Sequence, residues 1–176
     1  MTAVRTMRAL RDHVVGLSDR ARGLDFISMV RPEEVGLDPA HANPCTPSGD
    51  RWLRNVLRTL SIDAGHSVLD VGCGKGSAMR VLLDHPFGRV DGIELSADLA
   101  AIARTNFERL RVPADRCRVL VADATTFAEL DGYTHVYLAN PFSGAVMAAF
   151  AEHLIRAERK SRIDSGKSGA GFGSLD

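Results

Sequence analysis

The chain has 176 residues, 45% of them hydrophobic and 25% charged, and its 22 basic and 22 acidic side chains give a formal net charge of zero. That size and composition describe one globular domain able to bury a core, and the balanced charge provides no general field to gather nucleic acid or an anionic membrane surface. Cys45, Cys73 and Cys117 are far apart and form no CxxC pair, which argues against a disulfide framework or zinc site and for a reducing, cytoplasmic location; no apolar run approaches the ~20 residues of a membrane helix.

Taken in order, residues 1–24 predict an amphipathic helix docked on the domain, with Val4, Met7, Leu10, Val14 and Leu17 on one stripe and an end near Gly23. Residues 25–49 read as irregular, because Arg31-Pro32, Asp38-Pro39, Asn43-Pro44 and Thr46-Pro47 each bias the residue before proline away from helix. A loop of that length is functional or disordered. A helix follows over 50–60, with Trp52, Val56, Leu57 and Leu60 on its core face, Arg51, Arg54, Asn55 and Arg58 opposite, and Ser48 as its cap.

Next comes an alternation of strands and helices. The strands are Ser67–Val71, Arg89–Leu95, Cys117–Ala122 and Thr134–Ala139. A first helix runs to about Asp84. A second, capped by Ser96, carries Leu99, Ile102, Ala103, Asn106 and Leu110 on its core face. Ser143 caps the last, whose stripe is Val146, Met147, Phe150, Ala151, Leu154 and Ile155. Strands this apolar, alternating with helices, imply a doubly wound parallel α/β sheet covered on both faces. The domain runs from 50 to 162, and the Gly/Ser-rich residues 163–176 have the composition of a flexible tail.

The chemistry concentrates at the strand ends. Asp70, Glu94, Asp123 and Asn140 each stand at the carboxyl end of a strand, the edge where open α/β sheets bind ligands. Between the first strand and its helix lie Gly72, Gly74 and Gly76 at alternate positions, a turn without Cβ atoms that allows close backbone approach. The dinucleotide pattern G-x-G-x-x-G/A fails at Ser77, and the phosphate-binding GxxxxGK[ST] is absent. A carboxylate at Asp70 suits a cofactor bearing an ammonium and a sulfonium better than a pyrophosphate. Glu94, about 20 residues beyond the loop, is placed to accept from both hydroxyls of a ribose. His13, His41, His66, His85, His135 and His153 show no metal-ligand spacing, and no metal is implied.

These residues carry a resemblance. Val68–Gly76 resembles the first motif of the class I, seven-strand, Rossmann-like S-adenosylmethionine-dependent methyltransferases, and the likeness extends from about Pro44 to Ile155. The runs NPCTPSG, GCGKG, DHPFGRVDGIELS and NPF resemble the branch related to seven-strand histone-lysine methyltransferases. The resemblance implies S-adenosyl-L-methionine as cofactor, held by Asp70, Gly72, Cys73, Gly74, Gly76, Glu94, Leu95, Asp123 and Ala124. Asp123 would accept from the adenine amino group beside the Ala124 N–H, Asp70 would hold the methionine amino group through the loop or a water, and Thr46 would lie near the cofactor under a lid formed by 25–49. Asn140, Pro141 and Phe142 resemble the N/D-P-P-Y/F motif of amino-group methyltransferases, whose Asn oxygen and proline carbonyl receive the target nitrogen; one proline stands here where that motif has two.

The family sheet has further strands, whereas this sequence supplies four, in the expected order 3-2-1-4. The chain therefore reads as a shortened methyltransferase with an apolar fourth strand at the sheet edge, inviting self-association. The expected activity is in-line methyl transfer to an amine of a small molecule or a protein lysine, or to another small nucleophile. The competing reading is a cofactor-binding or interaction module without turnover.

Overall fold

The computed structural model describes residues 17–49 and 51–168, with side chains through residue 159. The stripe residues 4, 7, 10 and 14 lie outside them, and Leu17 is exposed. After a 3-10 turn at Pro32–Val35 come α1 (Arg51–Leu57), β1 (Ser67–Val71), α2 (Ser77–Leu83), β2 (Arg89–Glu94), α3 (Ala97–Arg109), β3 (Cys117–Val121), β4 (His135–Leu138) and α4 (Gly144–Ser168). The strands form one sheet in the order β3-β2-β1-β4, parallel throughout, with Asp70 beside Gly92 and Tyr137.

Alternate strand residues serve opposite faces, which divides the core in two. Val68 and Val90 join Ala78, Met79, Leu82, Ala103 and Phe107 under α2 and α3. Leu69, Val71 and Ile93 join Phe127, Leu130 and Phe150 under α4. Covered on both sides, β1 is buried from Val68 through Val71. Beneath β2, the fully buried Asp91 accepts from the Tyr133 hydroxyl at 2.7 Å and from Arg118 Nη2 at 2.7 Å, so this carboxylate enters the core with its partners.

Two helices differ from the expected pattern. In α1 the buried residues are Leu53 and Leu57, while Trp52 is 75%, Val56 41% and Leu60 43% exposed. The helix ends at Leu57, so Leu60 no longer shares its face, and the i, i+4 pair Leu53/Leu57 takes the contact with the core. Its first described residue is Arg51, and the Ser48 carbonyl accepts from the Tyr137 hydroxyl. At the other end α4 continues to Ser168, so residues 163–168 are helical rather than part of a tail. Arg, Ala, Glu and Lys from 156 to 160 are strong helix formers that carry the helix past its last core contacts.

Helix α3 buries Leu99, Ala103 and Asn106 as expected, adding Ala100 and Phe107; Ile102 and Leu110 are half-buried. Ser96 caps it, its hydroxyl accepting from the Leu99 N–H. No helix among the described residues is long and apolar enough to cross a membrane.

Candidate functional site

A cavity of about 410 Å³ opens at the carboxyl edge of the sheet, lined by Gly72, Cys73 and Gly74 of the loop, Glu94 and Leu95 after β2, Asp123 and Ala124 after β3, and Asn140, Pro141 and Phe142 after β4. Ten of the twelve sequence-chosen positions thus share one hollow, since only Asp70 and Gly76 are missing from its lining. Thr46 lines it too.

The glycine loop is built by contacts that differ from those expected. Gly72 adopts φ +72°, and a Cβ there would collide with Pro141. Gly74 adopts φ +54°, and its Cβ would stand 2.5 Å from the Cys45 sulfur. At Gly76 the space belongs to the Phe107 ring, 2.6 Å from a built Cβ. The missing side chains therefore admit the turn at Pro141, the segment holding Cys45 and α3, as well as leaving backbone open to a ligand. The Gly72 and Cys73 N–H groups donate to the Ile93 carbonyl at 2.9 and 3.0 Å, tying the loop to β2.

Glu94 organises the glycine-loop end of the cavity. Its Oε2 accepts from the Gly74 N–H and its Oε1 from the Ser96 N–H, each at 2.9 Å. A carboxylate has about four acceptor positions, so two remain for a ligand. Burial pushes its pKa up, against the pull of the Ser96, Gly74 and Leu95 backbone N–H groups. Asp70 lies beneath the loop, 2% exposed. Its Oδ2 has no hydrogen-bond partner among the described residues. Burial, with the Glu94 charge second, raises its pKa to about 8. Asp123 is exposed and turns part of its carboxylate inward on the chain: Oδ1 accepts from the Thr125 N–H at 2.8 Å and hydroxyl at 2.7 Å. Leu95 is 53% and Ala124 7% exposed, a flat apolar flank between the two acids.

At the end of the cavity after β4 Asn140 takes the left-handed conformation, φ +53°, which asparagine tolerates better than most residues. The turn that follows is gripped by residues 38–45, a strap across the cavity mouth. Asn43 donates its backbone N–H to the Pro141 carbonyl at 3.3 Å and its side-chain amide to the carbonyls of Asn140 and Phe142 at 3.1 and 3.0 Å. The Ser143 N–H donates to the His41 carbonyl at 3.0 Å. Ser143 Oγ is buried without a partner, so its backbone rather than its hydroxyl begins α4. The strap's far end pairs Cys45 with Val30 through two backbone bonds, at 2.9 and 3.2 Å.

Sequence reasoning missed Asn43, Cys45 and an ion pair between a buried lysine and a half-buried aspartate. Lys75 is 2% exposed; its Nζ meets Asp25 Oδ1 at 2.9 Å and bonds the carbonyl and hydroxyl of Ser28. Burial pushes the Asp25 carboxyl up, but the bonds from Ser28 and Lys75 outweigh it and hold its pKa below the usual value. Asn106 fixes the same segment, donating to the carbonyls of Asp25 and Lys75 at 2.9 and 3.0 Å. A polar residue on the core face of α3 was the one available signal that something polar had to be matched there.

The family model for a methyltransferase domain matches residues 68–160. Methyltransferase GfsG of Streptomyces halstedii is 34% identical over 89 residues, covering 49% of this chain and 31% of that protein. A dTDP-3-amino-3,6-dideoxy-alpha-D-glucopyranose N,N-dimethyltransferase of Streptomyces fradiae is 60% identical over 38 residues, 22% of this chain and 14% of that one. Among solved structures, the putative methylase HI0767 of Haemophilus influenzae superposes with a TM-score of 0.52 at 20% identity, covering 61% of this chain and 64% of that one, a likeness of fold. The matched part of this chain thus spans about a third or less of these curated relatives.

Proposed function

The chain belongs to the methyltransferase-domain family, and on that premise we propose that it binds S-adenosyl-L-methionine in the strand-tip cavity and transfers its methyl group to a small nucleophile, an amine above all, presented at Asn140. The observation that carries this reading is the convergence of the glycine loop, Glu94, Asp123 and Asn140 on one hollow. The residues fit the group. Glu94 has acceptor positions left for ribose hydroxyls, Leu95 and Ala124 flank the place of a base, and Asp123 has an exposed carboxylate for its amino group. Asp70 Oδ2, buried and unpartnered, is an anion site in waiting, reached by an ammonium through the loop or a water.

When bound, the cofactor supplies a methyl carbon on a positively charged sulfur. The chain's part is positioning. Asn140 accepts a hydrogen bond from the incoming amine, aiming its lone pair, and Pro141 and Phe142 wall the approach. The finer reading, a protein lysine as acceptor, draws on the NPF turn; the strap across the mouth and the likeness to an amino-sugar N,N-dimethyltransferase favour a small amine.

Calorimetry with S-adenosylhomocysteine, and with NAD as the control, should give binding to the first alone. Labelled S-adenosylmethionine should then mark small primary and secondary amines in preference to lysines of lysate protein. Binding without transfer to either would identify a binding module instead, and binding of NAD alone would overturn the assignment.

We also propose that the chain self-associates through β4, which pairs only with β1 among the described residues. An unpaired strand edge offers its backbone groups to another chain. Sedimentation should show mass rising with protein concentration; a monomer at every concentration removes this proposal.

A further inference from the structure

We propose that Asn43 is a positioning residue for methyl transfer, holding the acceptor turn in its working shape; this rests on the reading of Asn140 given above. The turn is one of several conformations open to it when left to itself. Asn140 is in the left-handed region, which costs energy for a non-glycine residue and persists only when its surroundings impose it. Here they do so from two sides. Pro141 is seated against Gly72, where no side chain fits. On the other side Asn43 reaches three successive carbonyls, its N–H to Pro141 and its amide to Asn140 and Phe142.

That pattern has a chemical consequence. The backbone oxygens of Asn140, Pro141 and Phe142 each already receive one donor from Asn43, which leaves each a single lone pair, whereas the side-chain oxygen of Asn140 keeps both for a target nitrogen. The proline carbonyl that two-proline motifs offer to a target nitrogen is here occupied by the strap. Asn43 also closes the cavity: two residues on, Cys45 lies against Gly74 of the donor end. One short stretch therefore registers the acceptor turn against the donor loop, and closing the strap completes the acceptor site.

Asn43→Asp tests this, because it keeps the shape and the backbone N–H but replaces the two side-chain donors with acceptors facing carbonyls. Asn43→Ala removes the amide without that repulsion. In the full chain, hydrogen exchange of the segment 140–147 should speed up at least tenfold in both variants, with and without S-adenosylhomocysteine, while β1 and β2 are unchanged. Affinity for S-adenosylhomocysteine should stay within threefold, and the kcat for the amine that wild type methylates should fall more than tenfold with little change in the KM for S-adenosylmethionine. Unchanged exchange at 140–147 overturns the proposal. So does a loss of S-adenosylhomocysteine affinity matching the loss of kcat, which would assign Asn43 to the donor end. If wild type neither binds S-adenosylhomocysteine nor methylates any amine, the functional reading fails, and exchange in the ligand-free chain still decides whether Asn43 holds the turn.

Discussion

Glu94→Gln should weaken S-adenosylhomocysteine binding at least tenfold, about 1.4 kcal/mol or more, and lower the stability of the ligand-free chain as well. The two effects have separate origins. In the folded chain the carboxylate accepts from the Gly74 and Ser96 N–H groups at 2.9 Å; an amide of the same shape must turn its NH₂ toward one of them, donor against donor. Leaving a buried donor unsatisfied costs about 1–3 kcal/mol, so the denaturation midpoint should fall. Affinity falls further, because an amide offers a ribose fewer acceptor positions and no charge. Measured by calorimetry and denaturant titration, a drop in stability with unchanged affinity would leave Glu94 as the anchor of the loop and remove its role at the ribose.

The second large effect concerns Asp70 and pH. Burial, with the Glu94 charge second, pushes its carboxyl up to about 8 in the folded chain from 3.8 for a free aspartate. Between those values the folded chain holds a proton that the unfolded chain has lost. Stability therefore decreases as pH rises through that window and levels off above about 8. At ~1.36 kcal/mol per unit the whole effect amounts to several kcal/mol. Asp70→Asn should remove most of this slope in denaturant midpoints measured from acid to mildly alkaline pH; Glu94, whose pKa burial also raises, adds to it, and Asp25, whose pKa is lowered, opposes it at the acid end. An equal slope in wild type and variant would show that Asp70 does not carry it. Ligand binding supplies a further readout. An ammonium brought near Asp70 favours its anion, so binding at neutral pH should release a proton in wild type. The apparent enthalpy would then vary with the ionisation enthalpy of the buffer, and in Asp70→Asn it should not.

The sheet was legible because each strand is a short apolar run ending in a polar residue and a helix start, a pattern with few alternatives. The same regularity brought Glu94, Asp123 and Asn140 to one edge. The face of α1 was misread because a seven-residue helix carries too few turns for periodicity to fix its rotation. The strap was not legible at all: Asn43 meets the carbonyl of Asn140 across 97 positions, and backbone carbonyls leave no mark in a sequence. The glycines were found but their use was only half understood, since Pro141 and Cys45 occupy spaces that local reasoning had left for a ligand.

The matched family segment starts at residue 68, yet the anion that neutralises Lys75 is Asp25, and the partner of Arg80 is the buried Asp19. Trimming the chain to the region that similarity outlines would remove both carboxylates, and with them the partners that hold the Lys75 ammonium and the Arg80 guanidinium in place. A shortened version of this molecule that keeps those two ion pairs has to include Asp19 and Asp25.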